Sequence, residues 1–212
     1  MKAGASLTLF NGDGAEYAAI VVRAAKDAVS VRIEGVRAAT RESPLQITLA
    51  QGVSRGERMD YTVQKAVELG VARIEPVTTA HGVVRLDAAR SRRKSDHWQA
   101  TAIGACEQCG RNRVPPVAPV SAFPDWLARR RQDASGPGIL LDPEAASRLA
   151  ELPRPSGEVT LLAGPEGGFS GDEQRDALRA GFVAARLGPR VLRTETAALA
   201  ALAAMQALWG DF

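Results

Sequence analysis

Histidine and cysteine are scarce in this chain of 212 residues, which has two of each. The two cysteines, Cys106 and Cys109, form one C-x-x-C without a second cysteine pair or a nearby histidine. A structural zinc ion needs about four such ligands, so we expect no bound metal. We interpret the pair as ordinary reduced thiols, and a redox pair is the alternative.

Long hydrophobic runs are absent as well. No window holds 18 uninterrupted apolar residues, and the N-terminus lacks the basic-then-apolar pattern of a signal peptide. The sequence therefore predicts a soluble cytosolic protein without a membrane partner. It also lacks G-x-G-x-x-G and G-x-x-x-x-G-K-[ST], which argues against dinucleotide binding and nucleoside triphosphate binding.

The small net charge of +3 conceals a basic segment. Residues 85–131 contain ten lysines and arginines against four acidic residues, so this segment carries +6 and the remainder of the chain −3. Two explanations stay open. The arginines form either a solvated helix face or a surface that faces the phosphates of a nucleic acid, where binding would depend on salt.

The first 42 residues predict a small antiparallel β module. Residues 6–10, 16–24 and 28–34 are strand candidates, and Asn11-Gly12-Asp13-Gly14 supplies the residues of a hairpin turn. Three strands are too few to close a barrel alone. Because Pro44 favours extended backbone before it, we place the domain boundary between residues 42 and 43.

From residue 45 onward, strand and helix patterns alternate. Asp87 and Ser121 are predicted caps, Ser170 and Glu173 have the spacing of a capping box, and Pro143 is placed at a helix start. The predicted strands are 45–50, 71–77, 138–141, 158–163 and 182–187, and the predicted helices are 57–69, 87–109, 121–131, 170–181 and 195–209. This alternation indicates an α/β fold, a mostly parallel sheet with helices on both faces.

Two glycine-containing loops stand out near the C-terminus. Residues 162–170 read LAGPEGGFS and residues 187–198 read LGPRVLRTETAA, and each follows an apolar strand and precedes a helix. Loops at two strand ends that expose backbone donors are typical of a small-molecule site. The first loop alone could be a phosphate cradle or only a tight turn. The second, with hydroxyls at Thr194 and Thr196, suits a slot of adenine size.

The last helix is apolar around its whole circumference over residues 197–205, so it must be buried on all sides. It is either a central core helix or a helix packed against a partner subunit.

Four motifs in order resemble the RsmE family. They are QKAVELGV at 64–71, EQCGRNRVP at 107–115, GPEGG at 164–168 and LGPRVLRTETA at 187–197, and the similarity runs from about residue 4 to the end. Members of that family are SPOUT-class methyltransferases that use S-adenosylmethionine (SAM) to methylate N3 of a uridine in small-subunit (16S) ribosomal RNA. The resemblance implies a trefoil-knotted catalytic domain over residues 43–212, a homodimer formed through the C-terminal helix, and a PUA-like RNA-binding domain over residues 1–42.

The resemblance also implies site residues. For the cofactor they are Leu141, Gly164, Gly168, Leu187, Gly188, Pro189, Leu192, Thr194 and Ala197. We hypothesise that Arg193 stabilises negative charge on a uracil oxygen and that Glu195 or Glu166 accepts the proton or orients the base. The alternative is that both carboxylates only bind loop amides. The candidate phosphate contacts are Arg55, Lys65, Arg111 and Arg113.

Two rival functions remain at this point. The chain could be a ribosome-binding factor with a methyltransferase fold and no turnover, or a SPOUT enzyme that acts on transfer RNA. The resemblance also implies a further segment before Lys2. We expect that the start codon of this sequence was assigned too late, rather than that the N-terminal domain has lost this segment.

Overall fold

The computed structural model describes residues 2–82, 87–133 and 136–212. The chain divides into two compact units, one of Met1–Glu42 with Cys106–Val114 and the other of Ser43–Ala105 with Pro115–Phe212. The predicted first domain, residues 1–42, did not include the segment Cys106–Val114. The PUA-like and methyltransferase assignments of the two parts stay predictions.

The first unit contains an antiparallel sheet of three strands in the order β1-β2-β3. The strands are β1 (Ser6–Leu9), β2 (Ala15–Ala24) and β3 (Val29–Ala38). The turn before β2 uses Gly12 and Gly14, both at φ 91°, a backbone region that favours glycine. The predicted antiparallel module is therefore confirmed, although its third strand runs four residues further than the sequence indicated.

Side-chain hydrogen bonds connect the segment Cys106–Val114 to the rest of the first unit, including those of Arg111 and Asn112. Arg111 is 5% exposed and forms an ion pair with Glu42, with its Nε 3.0 Å from Oε1. Asn112 donates from Nδ2 to the carbonyl oxygens of Gly14 and Ala39, at 3.1 and 2.5 Å. Because a buried charge is costly unless it is paired, Glu42 accounts for the buried position of this arginine.

The second unit is built on a six-stranded sheet in the order β6-β5-β4-β8-β7-β9, in which every pairing is parallel. Its strands are β4 (Gln46–Gly52), β5 (Arg73–Thr78), β6 (Ser121–Ala122), β7 (Gly138–Leu141), β8 (Glu158–Ala163) and β9 (Phe182–Ala185). The predicted mostly parallel sheet is confirmed. The trefoil knot implied by the resemblance stays a prediction.

Within the described residues, five α-helices follow these strands. They are α1 (Glu57–Glu68), α2 (Ala88–Cys109), α3 (Phe123–Gln132), α4 (Gly171–Arg179) and α5 (Thr194–Trp209). The ring pairs Phe123–Trp126, Phe123–Phe169 and Trp126–Phe182, with centroids 5.7–5.9 Å apart, lie in one hydrophobic cluster with Ala50, Leu140 and Leu162. Among the described residues, no helix has both the length and the hydropathy that a membrane span requires.

The helix caps test the sequence interpretation directly. Asp87 Oδ1 accepts the Arg90 amide at 2.8 Å, and Ser170 and Glu173 form both bonds of the capping box, so these predictions are confirmed. Ser121 does not cap α3. It lies in β6, Ala122 occupies the cap position, and the Ser121 hydroxyl accepts a bond from Arg129 instead.

Two further local predictions need correction. No helix starts at Pro143, because residues 143–144 form a turn and the next helical element is the short 3-10 helix Leu149–Glu151. The first alternative for α5, a central core helix, is wrong because α5 is not buried on all sides within one chain, and the alternative of packing against a partner subunit stays a prediction. The face with Ala198, Ala201 and Met205 is fully buried, whereas Ala207 on the opposite side is exposed.

Candidate functional site

A cavity of about 570 Å³ lies at the carboxyl ends of β7, β8 and β9. Each strand ends at a lining residue: Leu141, Ala163 and Ala185. In parallel α/β sheets, the loops that leave the carboxyl ends of strands form the ligand sites, and this cavity has that position. The other lining residues come from the loops after β7, β8 and β9 and from the first turn of α5, together with Arg58 of α1 and Gln174 of α4.

The first wall is the glycine loop, which we define as Gly164–Phe169. The Gly168 amide donates to the Pro165 carbonyl at 2.9 Å, and Gly168 has φ 67°, so the loop makes a tight turn. The loop lies directly over the end of β4, where a Cβ on Gly52 would be 2.3 Å from Cδ of Pro165. Glycine is therefore required at residue 52 for this close approach.

The second wall is the loop after β9, which we define as residues 186–193 and which leads into α5. The Thr194 hydroxyl donates to the Gly164 carbonyl at 2.5 Å, so the first residue of α5 is bound to the first residue of the glycine loop. The two loops therefore converge on one cavity, as the sequence predicted.

The structure brings most of the predicted cofactor residues together around this cavity. The lining includes Leu141, Gly164, Gly168, Leu187, Gly188, Leu192, Thr194 and Ala197. Pro189 is exposed and is not among the described residues that line the cavity. The Thr194 hydroxyl gives its only hydrogen to Gly164, so this side chain positions the loop rather than donating to a ligand.

The three candidate catalytic residues also line the cavity, but their side chains differ in exposure and in hydrogen bonding. Arg193 is exposed at the cap position of α5. Glu195 is half-buried, and its Oε2 is buried without a hydrogen-bond partner among the described residues. Glu166 is already engaged, because its Oε1 accepts the Arg55 amide at 3.1 Å and Nη1 of Arg58 at 2.7 Å.

The pKa of Glu166 reflects these donors. Partial burial alone would raise the pKa, but hydrogen bonds from its own amide, from the Arg55 amide and from the Arg58 guanidinium outweigh that effect. The pKa of Glu166 therefore lies below its usual range, and the group is held as a carboxylate. A carboxylate with such stable donors is a poor proton acceptor, so the structure favours the interpretation in which Glu166 binds a loop amide.

The four candidate phosphate contacts differ in exposure. Arg55 and Arg113 are exposed, and Lys65 is half-buried with Nζ 2.7 Å from Oε1 of Glu68. Arg111 is buried against Glu42, and we correct its assignment to a structural role.

The basic segment likewise contains both exposed and structural cations. Arg85 lies outside the described residues. Arg90, Arg92 and Arg93 are exposed on α2, whereas the Arg130 guanidinium stacks 4.3 Å from the ring centroid of Phe182. A solvated helix face and a phosphate-facing surface both remain compatible with the exposed members.

The cysteines are free thiols in this structure. Burial raises the pKa of Cys106 to about 11, which opposes the thiolate that redox exchange and metal binding need. Within residues 2–82, 87–133 and 136–212, no three His, Cys, Asp or Glu side chains are grouped to hold a metal ion.

Sequence reasoning missed Arg58, Gln51 and His81, which bind or support the glycine loop; Nδ1 of His81 lies 3.1 Å from the Gly167 carbonyl oxygen. Arg58, in the first turn of α1, lines the cavity and holds Glu166. Gln51, at the end of β4, is fully buried and donates to the Thr194 hydroxyl at 3.1 Å. A polar residue at the end of the apolar strand ITLAQG was the available signal for Gln51, whereas Arg58 carried none.

Comparisons with known proteins agree with this geometry. A family model described as an RNA methyltransferase domain matches residues 41–206. The ribosomal RNA small subunit methyltransferase E of Buchnera aphidicola subsp. Schizaphis graminum is 34% identical over 211 residues, which cover 100% of this chain and 85% of that protein.

Two solved structures are also similar to this chain. One is a Legionella pneumophila protein described as a methyltransferase, in complex with bound cofactor SAM, with 45% identity and a TM-score of 0.92. The other is the ribosomal RNA small subunit methyltransferase E of Neisseria gonorrhoeae bound to SAM, with 41% identity and a TM-score of 0.92. Each similarity covers 100% of this chain and 86% of the other.

Proposed function

The chain belongs to the RNA methyltransferase family, and from that membership we propose that it methylates N3 of a uridine in small-subunit (16S) ribosomal RNA with SAM. One observation carries the proposal. The glycine loop and the loop after β9 converge on one cavity at the carboxyl ends of three parallel strands, and the bond from Thr194 to Gly164 joins them.

The residues around the cavity fit SAM in size and in chemistry. A volume of about 570 Å³ lies within the range of roughly 300–1,000 Å³ that small-molecule pockets have. Leu141, Leu187 and Leu192 supply apolar walls for an adenine ring. Gly164 and Gly168 allow backbone groups to approach the ligand, because neither residue has a side chain. We therefore assign the cofactor to this cavity.

When bound, SAM supplies a methyl group that its sulfonium already activates. The protein must align the uracil and remove one proton, since N3–H of uracil is a weak acid. We assign the proton acceptor to Glu195, because this residue lines the cavity and its Oε2 has no hydrogen-bond partner among the described residues. Arg193, exposed at the same edge, stabilises the negative charge that develops on a uracil oxygen.

Substitutions at these two residues test the assignment. Arg193→Ala should lower kcat about 10²–10³-fold and change the Kd for SAM much less. Glu195→Gln keeps the size of the side chain but removes the base, so kcat should fall about 10²–10⁴-fold. Glu166→Gln is the matched control, and we expect a smaller loss of kcat. If kcat and SAM affinity fall equally in Arg193→Ala, the catalytic role of Arg193 is wrong.

The substrate is tested with SAM labelled on its methyl group. The protein is incubated separately with ribosomal RNA, assembled small subunits and transfer RNA, and the modified nucleoside is then identified. We expect 3-methyluridine from the 16S RNA. Label in transfer RNA would favour the transfer-RNA enzyme. SAM binding without methylation of any of the three would favour a binding factor without turnover.

Three further assignments belong to the same proposal. The partly exposed face of α5, which includes Leu199, Ala203 and Ala207, packs against a second copy in a homodimer. Light scattering should then give twice the chain mass of 22.4 kDa. The first unit contributes to RNA binding, with Arg113 as an exposed cation, and the protein acts in the cytoplasm.

A further inference from the structure

A buried side-chain amide lies beneath the glycine loop. Gln51, the penultimate residue of β4, has 0% exposure. Its Nε2 is 3.1 Å from the Gly52 carbonyl oxygen, 3.1 Å from the Thr194 hydroxyl and 3.4 Å from the Gly164 carbonyl oxygen. One amide therefore contacts the end of β4, the start of α5 and the glycine loop.

The direction of these hydrogen bonds follows from the donors available. The Thr194 hydroxyl has one hydrogen, which it gives to the Gly164 carbonyl at 2.5 Å. Toward Gln51 it can therefore only accept, and Nε2 of Gln51 is the donor. The bonds run from Gln51 to Thr194 and from Thr194 to Gly164, so the hydroxyl needs both partners to be satisfied.

The amide of Gln51 is costly to bury. Its Oε1 is buried without a hydrogen-bond partner among the described residues, and an unsatisfied buried acceptor destabilises the folded state. A leucine would avoid this cost, as the rest of β4 is largely buried and apolar. The donor bonds of Nε2 are therefore the function that accounts for a glutamine at this position.

We propose that Gln51 is a positioning residue that sets the spacing between the two walls of the cofactor cavity. Gln51 does not line the cavity, whereas both groups that it orders, Thr194 and Gly164, do. Without the amide, the hydroxyl loses its donor partner and can rotate away from Gly164. The glycine loop then loses its only side-chain bond to α5 among the described residues. This inference rests on the proposed SAM site.

Isosteric substitutions test the proposal. Gln51→Leu removes the amide, Thr194→Val removes the hydroxyl at nearly constant volume, and Thr194→Ser keeps the hydroxyl. Each variant is measured for the Kd of SAM by calorimetry, for the KM of SAM and of RNA, and for Tm. Thr62→Val is the matched control, because the buried Thr62 hydroxyl donates to the Arg58 carbonyl at 2.8 Å and Thr62 does not line the cavity.

We expect Gln51→Leu and Thr194→Val each to raise the Kd and the KM for SAM about tenfold, with the KM for RNA unchanged. Thr194→Ser should recover most of the affinity, and Thr62→Val should lower Tm without changing the Kd. The double variant should bind about tenfold rather than a hundredfold more weakly than the wild type, because both residues act on one carbonyl.

Two results would overturn the inference. One is wild-type affinity for SAM in both Gln51→Leu and Thr194→Val. The other is an equal rise in the KM for SAM and the KM for RNA together with a fall in Tm, because that result indicates a general loss of folded protein. If Gln51→Leu does not fold, the difference in the Kd for SAM between Thr194→Val and Thr194→Ser tests the proposal by itself. If the wild-type protein fails to bind SAM, the proposed function itself is wrong, which is a different outcome from variants that bind as well as the wild type.

Discussion

Gly52→Ala is the substitution that most directly tests the packing of the glycine loop on β4. The added Cβ would lie 2.3 Å from Cδ of Pro165, 2.4 Å from its nitrogen and 2.8 Å from the Gly164 carbonyl carbon. These atoms belong to a ring and to backbone, so no side-chain rotation can relieve the overlap. A normal contact begins at 3.4 Å, and the loop must therefore move by about 1.1 Å.

The expected loss of stability follows from that displacement. Overpacking of this kind costs about 1–3 kcal/mol of unfolding free energy, and each kcal/mol corresponds to about 2–4 °C in Tm for a chain of this length. We therefore expect Tm to fall by roughly 2–12 °C. A misplacement of about 1 Å in a catalytic site also lowers turnover about 10²-fold.

The assay combines calorimetry with SAM, a thermal melt and a methylation rate. Gly104→Ala is the matched control, because a Cβ at residue 104 on α2 would meet no atom within 4 Å. Alanine also favours the helix by about 1 kcal/mol, so this control should have a higher Tm and unchanged SAM affinity. If Gly52→Ala shows wild-type Tm and SAM affinity, the glycine loop does not pack on β4 as described.

Two further predictions concern ionisation. The pKa of Glu166 is lowered in the folded state, so its carboxylate stabilises the fold fully above the ordinary value of 4.5, and that contribution is lost as the pH falls through the folded value. The Tm difference between wild type and Glu166→Gln should therefore shrink on acidification from neutral pH, and a constant difference would contradict the ion pair with Arg58. Because burial raises the pKa of Cys106 to about 11, only about 0.1% of this thiol is ionised at pH 8. Iodoacetamide at pH 8 should spare Cys106 in the folded protein and modify it after denaturation, as mass spectrometry of the peptides will show; rapid modification of the folded protein would refute its burial.

Local signals predicted local structure well. The capping box of Ser170 and Glu173 and the cap at Asp87 depend on side chains that reach backbone amides three residues away. The cap at Ser121 was wrong, because a serine before a helix has more than one available partner. Its hydroxyl accepts a hydrogen bond from Arg129 in the second turn of α3, and α3 begins at Phe123, two residues after Ser121.

Long-range contacts could not be predicted from the sequence in the same way. The glycine loop and the loop after β9 were identified because each follows a predicted strand. Gln51, in contrast, contacts Thr194, which lies 143 positions away in the sequence. Likewise, the buried position of Arg111 depends on Glu42, which lies 69 positions away. Spacing along the chain carries no information on such pairs, because the tertiary fold brings distant segments together, as the pairing of β4 with β8 does in the six-stranded sheet.

The order of the sheet has a consequence for the synthesis of the protein. The central pair β4 and β8 joins residues 46–51 to residues 158–163, so the middle of the sheet stays open until most of the chain has been made. The cavity needs still more, because α5 supplies part of its lining. Chains grow from the N-terminus and long-range pairings form slowly. A nascent chain that ends before Thr194 therefore has no complete binding site. The protein can form the SAM site only after the segment that contains α5 has been synthesised and has folded.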